Sequence, residues 1–147
     1  MRKGCYHLNK YSLFIDGGFI SNYCKDNSRF GVIAEVKFTH EAMENGLNVS
    51  VPVGGTLRYD AIVDSGTSLK RVQVKSTRTV RKGRKSETWS RASTTYSNGD
   101  FDYMAFYSFV RNCWWIIPAE TLKGLSAISF SDDGEISLYR DAWHLLK

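Results

Sequence analysis

Residues 58–77, RYDAIVDSGTSLKRVQVKST, restrict the fold of this chain more than any other stretch. Strand-forming residues flank Gly66-Thr67, and glycine suits the first central position of a two-residue type II′ hairpin turn. Two antiparallel strands are expected, Arg58–Ser65 and Ser68–Thr77. A two-residue loop fixes their register: Ser65 faces Ser68 and, counting outward, Asp60 faces Gln73. Side chains alternate along a strand. Ala61, Val63, Val72 and Val74 therefore share an apolar face, and Asp60, Gln73 and Lys75 share the other. Opposed residues have Cβ atoms about 5 Å apart. The hairpin gathers a carboxylate, an amide and an ammonium on one patch, backed by core.

That patch has two readings. It is an ordinary exposed cross-strand cluster with an Asp–Lys pair, or it serves phosphodiester hydrolysis. Hydrolysis needs a divalent cation, an activated water and positive charge beside the developing phosphorane. Asp60 offers oxygen to a hard cation such as Mg²⁺, and Gln73 offers a neutral oxygen. Lys75 can orient or deprotonate the water, or stabilise transition-state charge. Upstream, Ser28–Asn45 reads as an amphipathic helix, with Asn27 or Ser28 as N-cap and Gly46 at its C-terminal end. Val32, Ile33, Val36 and Met43 fall near one face, with Phe30 and Ala42 close by, and that face is expected to pack on the core. Glu35 lies beside this stripe, where a carboxylate is costly unless paired or metal-bound. It can reach the same site as a second metal ligand or through a bound water.

A glutamate on a helix, then Asp60, then Gln73-x-Lys75 on the next strand resembles the pattern of the PD-(D/E)xK nuclease superfamily. The longer stretch GVIAEVKFTHEAMENGLNVSVPVGGTLRYDAIVDSGTSLKRVQVKST, followed by DYMAFY and WWIIPAETL, is similar to small PD-(D/E)xK endonucleases associated with bacterial group I introns. The similarity spans about residues 29–122. It implies an α/β fold with a restriction-endonuclease-like core, a mixed central sheet flanked by helices. It also implies sequence-specific cleavage of double-stranded DNA with Mg²⁺, or Mn²⁺ in its place. Carried onto this chain, the helix acid is Glu35, the motif aspartate Asp60, the second-acid position Gln73 and the motif lysine Lys75. Two departures stand out. Tyr59 replaces the proline before the motif aspartate, and Gln73 replaces an acid, which weakens attraction for a cation. Glutamine there resembles a variant of the homing-type branch. Two alternatives share these features: a structure-specific nuclease such as a Holliday junction resolvase, and a DNA-binding protein with an inactive site.

Charge supports a polyanionic partner. The net charge is +5, and nine basic residues lie between Lys70 and Arg91 with Glu87 as the only acid. The plain alternative is a solvated loop. Within the basic segment 76–97, Arg78, Arg81, Lys82, Arg84, Lys85 and Arg91 are candidate DNA contacts, able to neutralise phosphates or read guanine edges. Gly83 would suit the turn of a β-ribbon. Trp89 and Tyr96 either meet the duplex or pack on the domain.

The 147 residues suit one domain, residues 28–147, preceded by an N-terminal extension, residues 1–27. Leu47–Val53 reads as a strand, and Gly54-Gly55 as a turn. Asp102–Val110 and Cys113–Ile117 read as further strands joined near Arg111-Asn112, their aromatics serving as core or subunit interface. Pro118 opens a short helix, Ala119–Lys123, and the tail suggests a hairpin around Asp133-Gly134. No apolar run approaches the roughly 20 residues of a membrane span, and no signal peptide is read. Cys5, Cys24 and Cys113 form no CxxC pair and are expected as reduced thiols in a cytoplasmic protein. A zinc ion shared by Cys5, His7 and Cys24 lacks convincing spacing. One active site cuts one strand, so a double-strand break favours a homo-oligomer, at least a dimer.

Overall fold

The computed structural model describes residues 27–78, 87–90, 96–97, 99–125 and 127–147. Most of the expected N-terminal extension, including Cys5 and Cys24, lies outside the described residues, as do Arg81, Lys82, Arg84, Lys85 and Arg91. The elements are helix α1 (Asn27–Glu44) and strands β1 (Asn48–Ser50), β2 (Ala61–Asp64), β3 (Leu69–Thr77), β4 (Glu87–Ser90), β5 (Tyr103–Ser108), β6 (Cys113–Pro118) and β7 (Ala127–Phe130). β1, β2, β3, β5 and β6 form one sheet in that order, and β4 pairs with β7 in a second, two-stranded sheet.

The expected hairpin forms in its expected register. Ala61 pairs with Val72, Ile62 with Arg71, Val63 with Lys70 and Asp64 with Leu69. The Ser65 N–H closes the loop on the Ser68 carbonyl at 3.1 Å, and Gly66 takes φ 82°. β3 runs antiparallel to β2 but parallel to β5, and β5 is antiparallel to β6, so the sheet is mixed. β1 is shorter than expected. The chain leaves it before Pro52, which has no N–H for a ladder, and turns through Gly54 and Gly55, both at positive φ.

The helix forms where expected and ends in a Schellman motif. Gly46 at φ 79° donates to the Met43 carbonyl at 2.9 Å, and Leu47 donates to that of Ala42 at 3.1 Å. Its buried face is not the expected one. Phe30, Ala34, Phe38 and Ala42 face the sheet, while Val32, Val36 and Met43 are 56%, 65% and 55% exposed. The small Ala34 and Ala42 let the helix backbone approach closely, and Phe38 fills the space between. The Phe38 ring lies 5.5 Å from each of Trp114 and Trp143. Side-chain hydrophobicity favoured the outward stripe, but packing against a flat sheet favours small residues with one large knob.

The five-stranded sheet has two apolar faces. On one, α1 and a C-terminal 3₁₀ turn, Trp143–Leu146, cover Val72, Val74, Ala105, Tyr107, Trp114 and Ile116. On the other, Met104, Phe106, Trp115 and Ile117 pack with Ile128 and Phe130 of β7 and with Leu122 of the 3₁₀ helix Ala119–Leu122. The aromatic strands are therefore core. Phe106 and Phe130 stack at 3.8 Å across the layers. Cys113 is buried and takes part in no disulfide.

The tail does not form the expected hairpin. β7 pairs with β4, matching Glu87 with Phe130 and Thr88 with Ser129. Beyond Gly134 the chain turns into a 3₁₀ helix, Glu135–Tyr139. Asp132 explains the turn, because it accepts from both Arg111 and Arg140 and ties this loop to the connection after β5. The same pairing means that β4, within the basic segment, finds its partner in β7 rather than in a ribbon made by that segment alone. No helix among the described residues is long and apolar enough to cross a membrane.

Candidate active site

The site forms where β2 stops. β2 pairs with β3 only as far as Ala61–Val72, yet β3 continues to Thr77 with β5 on its other side. The ladder slips at this point: Asp60 N–H donates to the Val72 carbonyl at 2.9 Å, one residue out of the hairpin register. The Val74 N–H, beyond the end of the β2 ladder, needs an acceptor. Asp60 supplies it, its Oδ2 accepting from Val74 N–H at 2.7 Å. The same oxygen accepts from Gln73 Nε2, which also donates to the Val74 carbonyl at 3.3 Å. With the amide nitrogen so engaged, Oε1 is the atom of Gln73 suited to a cation. Gln73 is only 5% exposed.

Lys75 lies two residues along β3 on the same face, in register with Phe106 of β5. Glu35 arrives from the helix on the opposite face. The Glu41 carboxylate accepts from Trp114 Nε1 at 2.6 Å and pairs with Lys37 at 2.5 Å. The contact with Trp114 reaches from α1 to β6 and so fixes the rotation of the helix and the direction of Glu35, whereas the Lys37 pair lies within α1. Neither Glu41 nor Trp114 carried a signal in the sequence, because their partners are distant along the chain.

The electrostatics join these groups. Burial pushes the Asp60 carboxyl up from its ordinary value, while Val74 N–H, the Lys75 charge and the Gln73 amide pull it down. Burial also raises Glu35, the Asp60 charge raises it further, and Lys75 opposes both. Asp60 and Gln73 are thus in direct contact, and Glu35 and Lys75 are linked to Asp60 through charge. Among the described residues no three His, Cys, Asp or Glu side chains cluster as a metal site. The donor set here is smaller: two mutually repelling carboxylates and an amide oxygen. All three are hard oxygen donors, which fit a Mg²⁺ ion retaining several waters.

Arg78 is half-buried, its guanidinium 4.0 Å from the Phe30 ring centroid of α1. A cavity of about 580 Å³ opens beside the start of β5, lined by Tyr96, Asp102, Tyr103, Glu120 and Lys123 among others. It contains none of Glu35, Asp60, Gln73 and Lys75. Tyr96 is buried and packs edge-on to Phe101 at 5.1 Å. The Trp89 side chain lies outside the described residues.

A mixed five-stranded sheet with a helix, interrupted where an aspartate caps the strand bearing the lysine, is the PD-(D/E)XK endonuclease-like fold. The chain belongs to the PD-(D/E)XK endonuclease family, whose profile matches residues 25–131. Among solved structures it is similar to a bacterial homing endonuclease, I-Ssp6803I. That likeness has a TM-score of 0.68 and 25% identity, covering 82% of this chain and 93% of that one. A second likeness is to Hjc, a Holliday junction resolvase from the archaeal hyperthermophile Archaeoglobus fulgidus. It has a TM-score of 0.47 and 15% identity over 75% of this chain and 87% of that one. No curated protein matches the sequence.

Proposed function

We propose that this chain is a divalent-metal-dependent endonuclease that cuts double-stranded DNA at a specific sequence, in the manner of a homing endonuclease. The observation that carries the reading is Asp60 at the end of the β2 ladder, held by the Gln73 amide and Val74 N–H, with the Lys75 charge acting on both Asp60 and Glu35. Similarity to a bacterial homing endonuclease over most of both chains supports the substrate class. Glu35, Asp60 and the Gln73 amide oxygen would hold the cation, Mg²⁺ or Mn²⁺. When bound, it supplies positive charge beside the scissile phosphate. Lys75 donates hydrogen bonds to the attacking water or to phosphate oxygen, stabilising charge as it develops. The Gln73 amide and Val74 N–H hold Asp60 in place, so its carboxylate needs no reorganisation to bind. Arg78, Arg81, Lys82, Arg84, Lys85 and Arg91 are assigned to the DNA backbone and bases. Residues 1–27 are assigned as an extension of a single nuclease domain, residues 28–147, and a homo-oligomer, a dimer or tetramer, is assigned to the breaking of both strands.

The experiment is incubation of the full chain with a random DNA library and Mg²⁺, followed by sequencing of the ends produced. A recurrent site flanking the ends supports the reading. Ends that map only to four-way junctions support a structure-specific nuclease, and binding without new ends supports an inactive binder.

A further inference from the structure

We infer that Tyr96 is a positioning residue for Lys75, holding its ammonium over an aromatic face and off the neighbouring carboxylates. The inference rests on the nuclease reading above. Lys75 Nζ lies over the Tyr96 ring, 5.9 Å from its centroid. Its charge acts on both Asp60 and Glu35, yet among the described residues it makes a direct ion pair with neither. A lysine beside two carboxylates would ordinarily collapse onto them. There it would compete with a cation for the same oxygens and turn its N–H groups away from a substrate phosphate. A ring face attracts the ammonium by its quadrupole without neutralising it, so the full charge stays available.

Tyr96 is held as a platform should be. It is 7% exposed, and the edge contact with Phe101 anchors the ring in the core beneath Met104 and Phe106. The following turn is closed by Ser97 N–H on the Asp100 carboxylate at 2.7 Å. Arg71 then grips this segment: it donates to the Gly99 carbonyl at 2.6 Å and to both Asp102 oxygens, at 3.2 Å and 2.9 Å. Arg71 and Lys75 share β3. The strand that carries the ammonium therefore also fixes the ring beneath it.

The test uses the full chain and two substitutions. Tyr96→Phe keeps the ring and Tyr96→Leu removes it while preserving an apolar side chain. NMR of the Lys75 ε-methylene, assigned by its loss in Lys75→Ala, reads the contact without any reaction. A ring-current shift is expected in the parent and in Tyr96→Phe, and is expected to vanish in Tyr96→Leu. With a cleavable DNA, Tyr96→Leu should lower kcat by about 5- to 30-fold, the size of one cation–π contact, with KM unchanged. Tyr96→Phe should restore the rate. An absent ring-current shift in the parent, or a Tyr96→Leu protein with full kcat, overturns the inference. So does an equal loss of kcat in both variants. A parent that shows the shift but cuts no DNA overturns the nuclease reading and leaves the ring contact as packing.

Discussion

The Gln73 side-chain amide donates to the Asp60 carboxylate across the β2–β3 hairpin. A glutamine at a position where the motif has an acid therefore does two things at once. It lowers the negative charge beside Asp60, and it supplies a hydrogen-bond donor to that carboxylate.

Substituting Gln73→Glu should expose that trade. Without divalent ions, two carboxylates would meet in a half-buried place and the donor to Asp60 would be lost. The metal-free variant should be less stable than the parent by about 1–3 kcal/mol. Saturating Mg²⁺ should recover most of the loss, because binding to the native state stabilises it. Urea unfolding midpoints in chelator and in Mg²⁺ measure both. Equal midpoints for parent and variant in chelator would remove Gln73 from its role beside Asp60.

Cleavage and binding should separate by position. Lys75→Ala should abolish strand cutting while DNA affinity survives in a gel-shift titration. Replacing Arg81, Lys82, Arg84 and Lys85 together should do the reverse, weakening affinity and flattening its dependence on salt. A quadruple variant with the parent's salt slope would assign that basic stretch to the solvent.

The helix face can be checked by two lysines. Ala34→Lys would force an unpaired ammonium into a fully buried position and should cost more than about 3 kcal/mol. Val36→Lys, on the outward stripe, should change stability by no more than about 0.5 kcal/mol. Thermal unfolding of the two variants side by side decides which face meets the sheet.

Asp102 should contribute a pH-dependent stability. Its hydrogen bonds to Arg71 hold the carboxyl below its ordinary 3.8. The unfolded chain therefore takes up this proton first on acidification, and stability falls as pH drops from near 3.8 through the lower folded value. Above that window the full contribution is present. The pair is partly exposed, so about 1 kcal/mol is expected at neutral pH. Asp102→Asn should show that deficit at pH 7 and converge on the parent in strong acid. A deficit that persists unchanged in acid would mean that the stabilisation does not depend on the charge of Asp102.

What the sequence revealed followed the range of the interactions. The β2–β3 hairpin is local, so its turn chemistry and alternation gave the register pair by pair, and with it the grouping of Asp60, Gln73 and Lys75. The slip at Asp60 was not legible, because it arises only where a strand ends beside a longer neighbour. The helix was legible in extent but not in rotation. Glu41, Trp114 and the two alanines set that rotation, through partners that no periodicity shows. The tail was misread for a related reason. Its alternating residues fit a hairpin, but the partner of β7 lies well upstream, in β4, and a non-local pairing leaves no local trace.

Because β3 and β5 are parallel neighbours, the chain between Thr77 and Tyr103 has to travel back along the sheet before pairing resumes. That return journey contains the arginine- and lysine-rich stretch. The detour keeps no register with β3, yet β4 on β7 and Tyr96 against Phe101 tie it to the fold, so its course is set at those two points rather than along β3.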